Sequence, residues 1–370
     1  MVSKLPMYRI LTINPGSTST KIAIFEDERE VFREKIVHTA KELSPFPEVQ
    51  DQLDFRTDVV RRTIEAAGFV LSDLNVFSGR GGGILACVGG TYRVTDLLLD
   101  HASRGVSGHH PAQLASQICR RFADEVGGVA FVVNPPDVDE FDDISRVAGL
   151  KGIYRESHLH ALNQKEIAIR FCAARGLKYS EASLIVCHLG GGISISAHKN
   201  GRMIDSTDNI RGTGPMTPTR AGDLPSMAVI DLAYSGEYTK SELIHRLNHV
   251  GGFMDIFGTA DALELRARAD AGDEAAGLIY AGMNYQIAKG AAGMAAALKG
   301  KIDAIILTGG LARDRESNAM IREYIGWIAE VVEMPGEFEL EALCAGALRV
   351  LRGEEPARIY TGEPVWKTLY

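Results

Sequence analysis

One local design occurs twice in this chain, and it limits the fold more than anything else in the sequence. An apolar run, Ile10-Leu-Thr-Ile13, meets a small-residue loop, Asn14-Pro-Gly-Ser-Thr-Ser-Thr-Lys21, and a second apolar run, Ile22-Ala-Ile-Phe25, follows at once. Far downstream, Leu184-Ile-Val-Cys187 meets His188-Leu-Gly-Gly-Gly192, and Ile193-Ser-Ile-Ser196 follows. Each stretch reads as strand, tight loop, strand. Loops so rich in backbone N–H groups and hydroxyls suit phosphate oxygens. The repetition implies two similar domains gripping one nucleotide between them.

The length allows this. The chain has 370 residues, room for about two domains of roughly 150 residues each. Its net charge of -8 argues against a nucleic-acid binder, which would carry a basic surface. Five cysteines, 87, 119, 172, 187 and 344, show no CxxC spacing, so they read as reduced core residues of a cytoplasmic protein rather than a disulfide framework. The start, Met1-Val-Ser-Lys-Leu-Pro6, is too short and polar for a signal peptide. No apolar run approaches the roughly 20 residues that span a bilayer, so no membrane partner is expected.

Strand and helix signals alternate, which makes the class α/β. A third strand is expected over 30–38, a helix over 48–67 closed by Gly68, a helix opening at His109 with Pro111 in its first turn, and a buried strand over Val129–Val133. A helix over 160–175 precedes the second hairpin. Residues 207–225 form a long polar loop rich in glycine and proline, of the kind that is usually functional. Helices follow over 227–234, 240–247 and 273–298, then a buried strand over 302–307 ending in Thr308-Gly-Gly310. This gives a first domain over 1–155, completed by the C-terminal helix within 338–370, and a second over 156–337.

Several residues carry candidate chemistry. Gly16 lets the first loop approach a ligand without a Cβ in the way. Ser17, Thr18 and Ser19 add hydroxyl donors, Lys21 a cation, and Asn14 an amide able to orient phosphate or a metal-bound water. Gly190, Gly191 and Gly192 strip side chains from the second turn, and His188 before them can donate to a phosphoryl oxygen. Gly309 and Gly310 form a turn suited to a base or ribose. Arg80, in Gly79-Arg-Gly-Gly-Gly83, and Arg220, in Thr217-Pro-Thr-Arg-Ala-Gly-Asp223, place guanidinium forks in glycine-rich loops, where they match carboxylate and phosphoryl oxygens.

NPGSTSTK, HLGGGIS, the TxTRAGD loop and the ILTGGLARD segment occur here in that order. Together they resemble the acetate kinase–butyrate kinase family of the actin-like ATPase superfamily, over essentially the whole chain. His160-Ala-Leu-Asn163, Val138-Asp-Glu140 and Glu339–Leu351 look more like the butyrate branch. The resemblance implies an α/β fold of two actin-like (ribonuclease H-like) domains with a nucleotide cleft between them. It implies reversible phosphate transfer between ATP and a short-chain carboxylate such as butyrate, with Mg2+, by a homo-oligomer. Implied roles are Arg80 on the carboxylate, His188 and the glycine turn on the phosphate, Arg220 on the transition state, Gly309 and Gly310 beside adenosine, and Asn14 and Glu341 toward magnesium.

One departure stands out. The family has an aspartate where this chain has Asn134, and Asp137 or Asp139 could take its role. For the family histidine ahead of the second-domain helix, Glu156 lies closest by counting, with His158 and His160 near it. A carboxylate acceptor is already ionised at neutral pH, so Asn134 is compatible with a carboxylate kinase. A sugar kinase, which needs a base for its hydroxyl, fits less well. Acyl-chain length is open, because one methylene changes pocket affinity by only about 1–3 kcal/mol.

Overall fold

A computed structural model describes residues 7–208 and 210–369. The chain divides into two compact units. One runs to Asp139 and takes back Phe338–Lys367; the other is built from Glu140–Glu337.

The first unit holds a six-stranded sheet. Strands β1 (Arg9–Pro15), β2 (Ser19–Glu26) and β3 (Arg29–Val37) form an antiparallel meander. Beside β1 lie β4 (Val76–Gly79) and β6 (Val129–Val133), both parallel to it, and β5 (Thr91–Arg93) closes the edge, antiparallel to β6. The order is β3-β2-β1-β4-β6-β5. The central strands are buried on both faces, as their continuous apolar runs require. Helix Leu114–Val126 covers one face, and Gly79 is forced by its approach: a Cβ there would lie 2.8 Å from that of Ala115. The C-terminal helix Glu339–Leu351 belongs to this unit as well. Ser78 and Thr91 donate hydroxyl hydrogen bonds to its Leu343 and Gly346 carbonyls at 2.8 and 3.0 Å.

The second unit repeats the plan with β7 (Ser183–Leu189), β8 (Ile193–Lys199), β9 (Arg202–Ser206), β10 (Ala304–Gly309) and β11 (Val331–Pro335), in the order β11-β10-β7-β8-β9. Again an antiparallel meander, β7-β8-β9, is extended on the β7 side by parallel strands. One face of this sheet packs an apolar core of Ile185, Cys187, Ile195 and Ile305 against the long helix Glu274–Ala297. The other face meets helix Ala161–Ala174. The two units therefore share a strand plan, and each hairpin loop sits at the C-terminal end of its parallel strands. All five cysteines are buried, and among the described residues none forms a disulfide. Among the described residues no helix is long and apolar enough to cross a membrane.

Candidate active site

In the first unit the β1–β2 loop is held from beneath by Arg56. This arginine is fully buried on helix Leu53–Ala66. It donates from Nη1 to the Ser19 carbonyl (3.2 Å) and the Thr20 hydroxyl (3.0 Å), from Nη2 to the Ser17 carbonyl (3.2 Å), and from Nε to Gln52 (3.0 Å). The Thr18 carbonyl accepts from the His38 amide at 2.8 Å, and the Gly16 amide donates to Ser19 O at 2.7 Å. Every carbonyl from Ser17 to Ser19 is thus turned inward. The amides of Ser17 and Thr18, both on exposed residues, have no backbone partner among the described residues. Burial pushes the Arg56 guanidinium down to about 10. Sequence reasoning missed this residue; its only signal is a charged residue at a core position of an amphipathic helix.

Asn14 lies at the end of β1, nearly buried, and donates from Nδ2 to Glu339 at 2.7 Å. Lys21 reaches the same carboxylate at 3.3 Å, and an Arg80 nitrogen lies 3.9 Å from its other oxygen. Asn14, Lys21 and Arg80 are therefore brought together, with Glu339 as their common partner. Glu341 points elsewhere: it pairs with Arg33. On a helix two residues apart means opposite sides, so only one of the two glutamates can face Asn14. The Asn14 Oδ1 is buried with no hydrogen-bond partner among the described residues. An orphaned amide oxygen beside a carboxylate is a hard-oxygen donor set that fits Mg2+. Among the described residues no cluster of three or more His, Cys, Asp or Glu could hold a metal, so such an ion would draw its remaining ligands from phosphate and water, as Mg2+ usually does.

Arg80 follows β4 and opens a turn in which Gly81, Gly82 and Gly83 all have positive φ, at 70°, 138° and 72°. At Gly81 a Cβ would also collide with Val132 at 2.4 Å. His110 stands near Arg80; burial, then the charges of Arg80 and Arg56, push it down to about 4, so it is neutral at pH 7. Asn134 follows β6 with φ 40°, a left-handed position that asparagine tolerates. Its side chain accepts from the Gly90 amide at 2.7 Å while its own amide donates to the Gly90 carbonyl at 3.0 Å. That pairing clamps the loop ahead of β5. Asp139 is buried, and Asp137 accepts from Ser107.

In the second unit His188 ends β7, with Nδ1 2.9 Å from the Asn163 amide oxygen. The ring of His160 stacks on it, centroids 3.9 Å apart and 18° between planes. Of the other counted candidates, His158 pairs with Asp208 at 2.9 Å and Glu156 with Arg211 at 3.2 Å. The glycine turn lies next to the Arg220 loop, because the Gly191 carbonyl accepts from both Thr217 Oγ1 (2.7 Å) and Thr219 Oγ1 (3.2 Å). Thr217 Oγ1 in turn accepts from the Arg220 amide at 3.0 Å. Gly252 makes this close fit possible, since a Cβ there would fall 1.8 Å from the Thr217 carbonyl. Burial lowers the Arg220 pKa and the nearby Asp208 charge opposes it. Gly309 has φ 91°, and a Cβ there would lie 2.3 Å from Leu189 O. Gly310 next to it has open space.

Residues 152–336, half of the chain, match the family model described as the acetokinase family. Among solved structures, acetate kinase of Porphyromonas gingivalis superposes with a TM-score of 0.73 at 17% identity, over 93% of this chain and 100% of that one. A propionate kinase of Francisella tularensis gives 0.71 at 17%, over 91% and 98%. Acetate kinase of Entamoeba histolytica gives 0.73 at 15%, over 91% and 98%. At these identities the superpositions establish the fold.

Proposed function

The chain belongs to the acetokinase family, and from that premise we propose that it transfers phosphate reversibly between ATP and butyrate or a branched relative, giving an acyl phosphate and ADP. ATP-dependent phosphorylation of a short-chain carboxylate follows from the family. The choice of acyl group rests on the resemblance of His160–Asn163 and Glu339–Leu351 to the butyrate branch.

The observation that carries the catalytic assignment is the double threonine bond to the Gly191 carbonyl, which ties the turn after His188 to the loop of Arg220. Phosphoryl transfer asks little covalent work of a protein; positioning and charge stabilisation dominate. Arg220 would neutralise charge on the transferring phosphoryl oxygens, with His188 donating beside it. The Gly190–Gly192 turn and the first loop, Gly16 to Ser19, would cradle phosphate through backbone amides. Arg80 would hold the acceptor carboxylate through its fork. Gly309 and Gly310 would border adenosine. Asn14 and Glu339 would hold Mg2+ through water, with Lys21 steadying the glutamate; bound there, the ion would offset phosphate charge. Asn134 is assigned to shaping the Gly90 loop.

Helix Ser226–Tyr234 supports self-association. It is apolar and buries none of its residues, with Tyr234 88% and Met227 66% exposed. A soluble chain rarely leaves such a face open.

The test is ATP-dependent acyl phosphate formation, trapped with hydroxylamine, across straight and branched C2 to C6 acids. A peak at butyrate or isobutyrate supports the reading; a peak at acetate overturns the acyl assignment but not the chemistry. Arg220→Ala should lower kcat by two or more orders of magnitude, in the range seen when one transition-state donor is removed, with ATP affinity little changed. Near-normal turnover would remove Arg220 from the mechanism.

A further inference from the structure

Strand β8 alternates Ile193-Ser-Ile-Ser-Ala-His198, a pattern that ordinarily marks one face in water. Here both faces are buried. Ser194, Ser196 and His198 are all 0% exposed, as is Gln164 on the helix that covers them. Buried polar groups must find partners, and these form one continuous chain that ends at the ring stacked on His188.

The chain has a single possible direction, and Gln164 sets it. Its Nε2 lies 3.0 Å from the Ser194 main-chain carbonyl, so the amide nitrogen must be on that side. The same nitrogen donates to Ser194 Oγ at 2.7 Å. Ser194 Oγ also accepts from the His160 amide at 3.3 Å. With its lone pairs engaged, the Ser194 hydroxyl hydrogen goes to the remaining neighbour, His160 Nδ1, at 2.8 Å. On the other side Gln164 Oε1 can only accept, and Ser196 donates to it. Ser196 Oγ then accepts from His198 Nε2 at 2.7 Å, and the Tyr179 hydroxyl donates to His198 Nδ1 at 2.8 Å. That requires a neutral His198. Burial, with the nearby Lys165 charge, pushes it down to about 3.

We propose that Gln164 is a positioning residue for phosphoryl transfer: its amide directs the buried hydrogen-bond chain so that Ser194 donates to His160, holding His160 as the neutral tautomer with its hydrogen on Nε2, stacked on His188. The proposal rests on the kinase reading only for its catalytic consequence. His188 Nδ1 faces an amide oxygen and so carries a hydrogen. Its Nε2 looks toward the glycine turn, since a Cβ at Gly190 would lie 3.4 Å from it. To donate to a phosphoryl oxygen from Nε2 as well, His188 must take a second hydrogen and become a cation. A neutral ring stacked on it tolerates that charge, whereas a second cation at 3.9 Å would oppose it.

The tautomers can be read directly from long-range 1H–15N spectra of the full chain labelled at its histidines, with the His160 signal identified by its loss in His160→Gln. The expected wild-type pattern has hydrogen on Nε2 and none on Nδ1. Ser194→Ala removes the hydroxyl that donates to Nδ1, and Gln164→Glu replaces the amide donor by an acceptor that draws the Ser194 hydrogen away. Both should release the tautomer and lower kcat about 10- to 100-fold, the range of a misplaced catalytic group. KM for ATP and carboxylate should stay within about twofold. Ser194→Thr, which restores the hydroxyl, should recover both signals. Hydrogen on Nδ1 in the wild type, or unchanged kcat in Ser194→Ala, overturns the proposal. The spectra need no substrate, so a wild type that phosphorylates no acid would defeat the kinase reading while the tautomer is still decided.

Discussion

Replacing Arg56 by methionine should separate its structural work from any ordinary core contribution. The volume is roughly kept, while four hydrogen bonds disappear: those to Gln52, Ser17 O, Ser19 O and Thr20. A hydrogen bond to a charged donor is worth roughly 1.5–3 kcal/mol, so the four together exceed about 6 kcal/mol. Against this stands the desolvation that pushes the guanidinium down to about 10, a cost on the order of 3 kcal/mol that the methionine variant no longer bears. The difference leaves a net loss of at least about 3 kcal/mol, consistent with the roughly 3–5 kcal/mol usual for breaking a buried charged network. Trp366 lies in the first unit and Trp327 in the second, so urea denaturation followed by fluorescence in a Trp327→Phe background reports on the first. The unfolding free energy should drop by that amount, read as a lower urea midpoint at unchanged slope. KM for ATP should rise as well, because the loop carbonyls are released and the amides of Ser17 and Thr18 lose their fixed direction. Arg56→Lys, which keeps the charge but not the fork, should fall between. An unfolding free energy within about 0.5 kcal/mol of wild type together with an unchanged KM would refute the reasoning.

Glu339→Gln should raise the Mg2+ concentration for half-maximal activity about tenfold, while Glu341→Gln, which loses only a half-exposed pair with Arg33, should stay within about twofold. Acid should destabilise the fold. His110 and His198 are pushed down to about 4 and about 3, chiefly by burial, so between the unfolded value near 6.5 and those values the unfolded chain binds more protons. The stability they contribute is complete above pH 6.5 and falls as pH drops, by roughly 2 kcal/mol each at pH 5. Denaturation midpoints across pH 5–8 check this, and His198→Gln should flatten the slope. Tyr234→Glu combined with Met227→Glu should reduce the mass measured by light scattering to that of one chain; an unchanged mass would exclude helix Ser226–Tyr234 as the self-association surface.

Much of this was legible before any coordinates. Residues 129–133 form the strand that their apolar run announces, and the C-terminal helix spans Glu339–Leu351 as expected. The long alanine and glycine run, expected over 273–298, is the helix Glu274–Ala297. What escaped was set by tertiary context. β5 has three residues, too few for any period to show, and exists because Thr91–Arg93 pairs with β6. That Glu339 and not Glu341 meets Asn14 depends on which side of one helix faces β1, and two glutamates two residues apart look alike in a sequence. β8 misleads in a different way: its alternation is real, but the polar face meets a helix carrying Gln164 instead of water, and nothing local to β8 encodes that helix.

The two hairpin loops assigned to phosphate would reach that property by different means. A loop backbone carries as many acceptors as donors, so glycine content alone cannot make it attractive to an anion; its carbonyls must be occupied elsewhere. In the first loop a buried guanidinium and the His38 amide take the carbonyls of Ser17, Thr18 and Ser19 from beneath. In the second, the threonine hydroxyls of the Arg220 loop take the carbonyl of Gly191. The first solution is rigid and local to its unit's core. The second hands the task to a loop that also carries the arginine assigned to the transition state, so the polarity of the glycine turn and the position of Arg220 depend on the same two side chains. Thr217→Val should therefore cost more than one hydrogen bond's worth of activity. It should raise KM for ATP through Gly191 and lower kcat through Arg220 together. Thr219→Val, whose bond to Gly191 is the longer of the two, should show a weaker version of the same pair of effects. A Thr217→Val enzyme changed in KM alone would show that the Arg220 loop holds its position without the glycine turn.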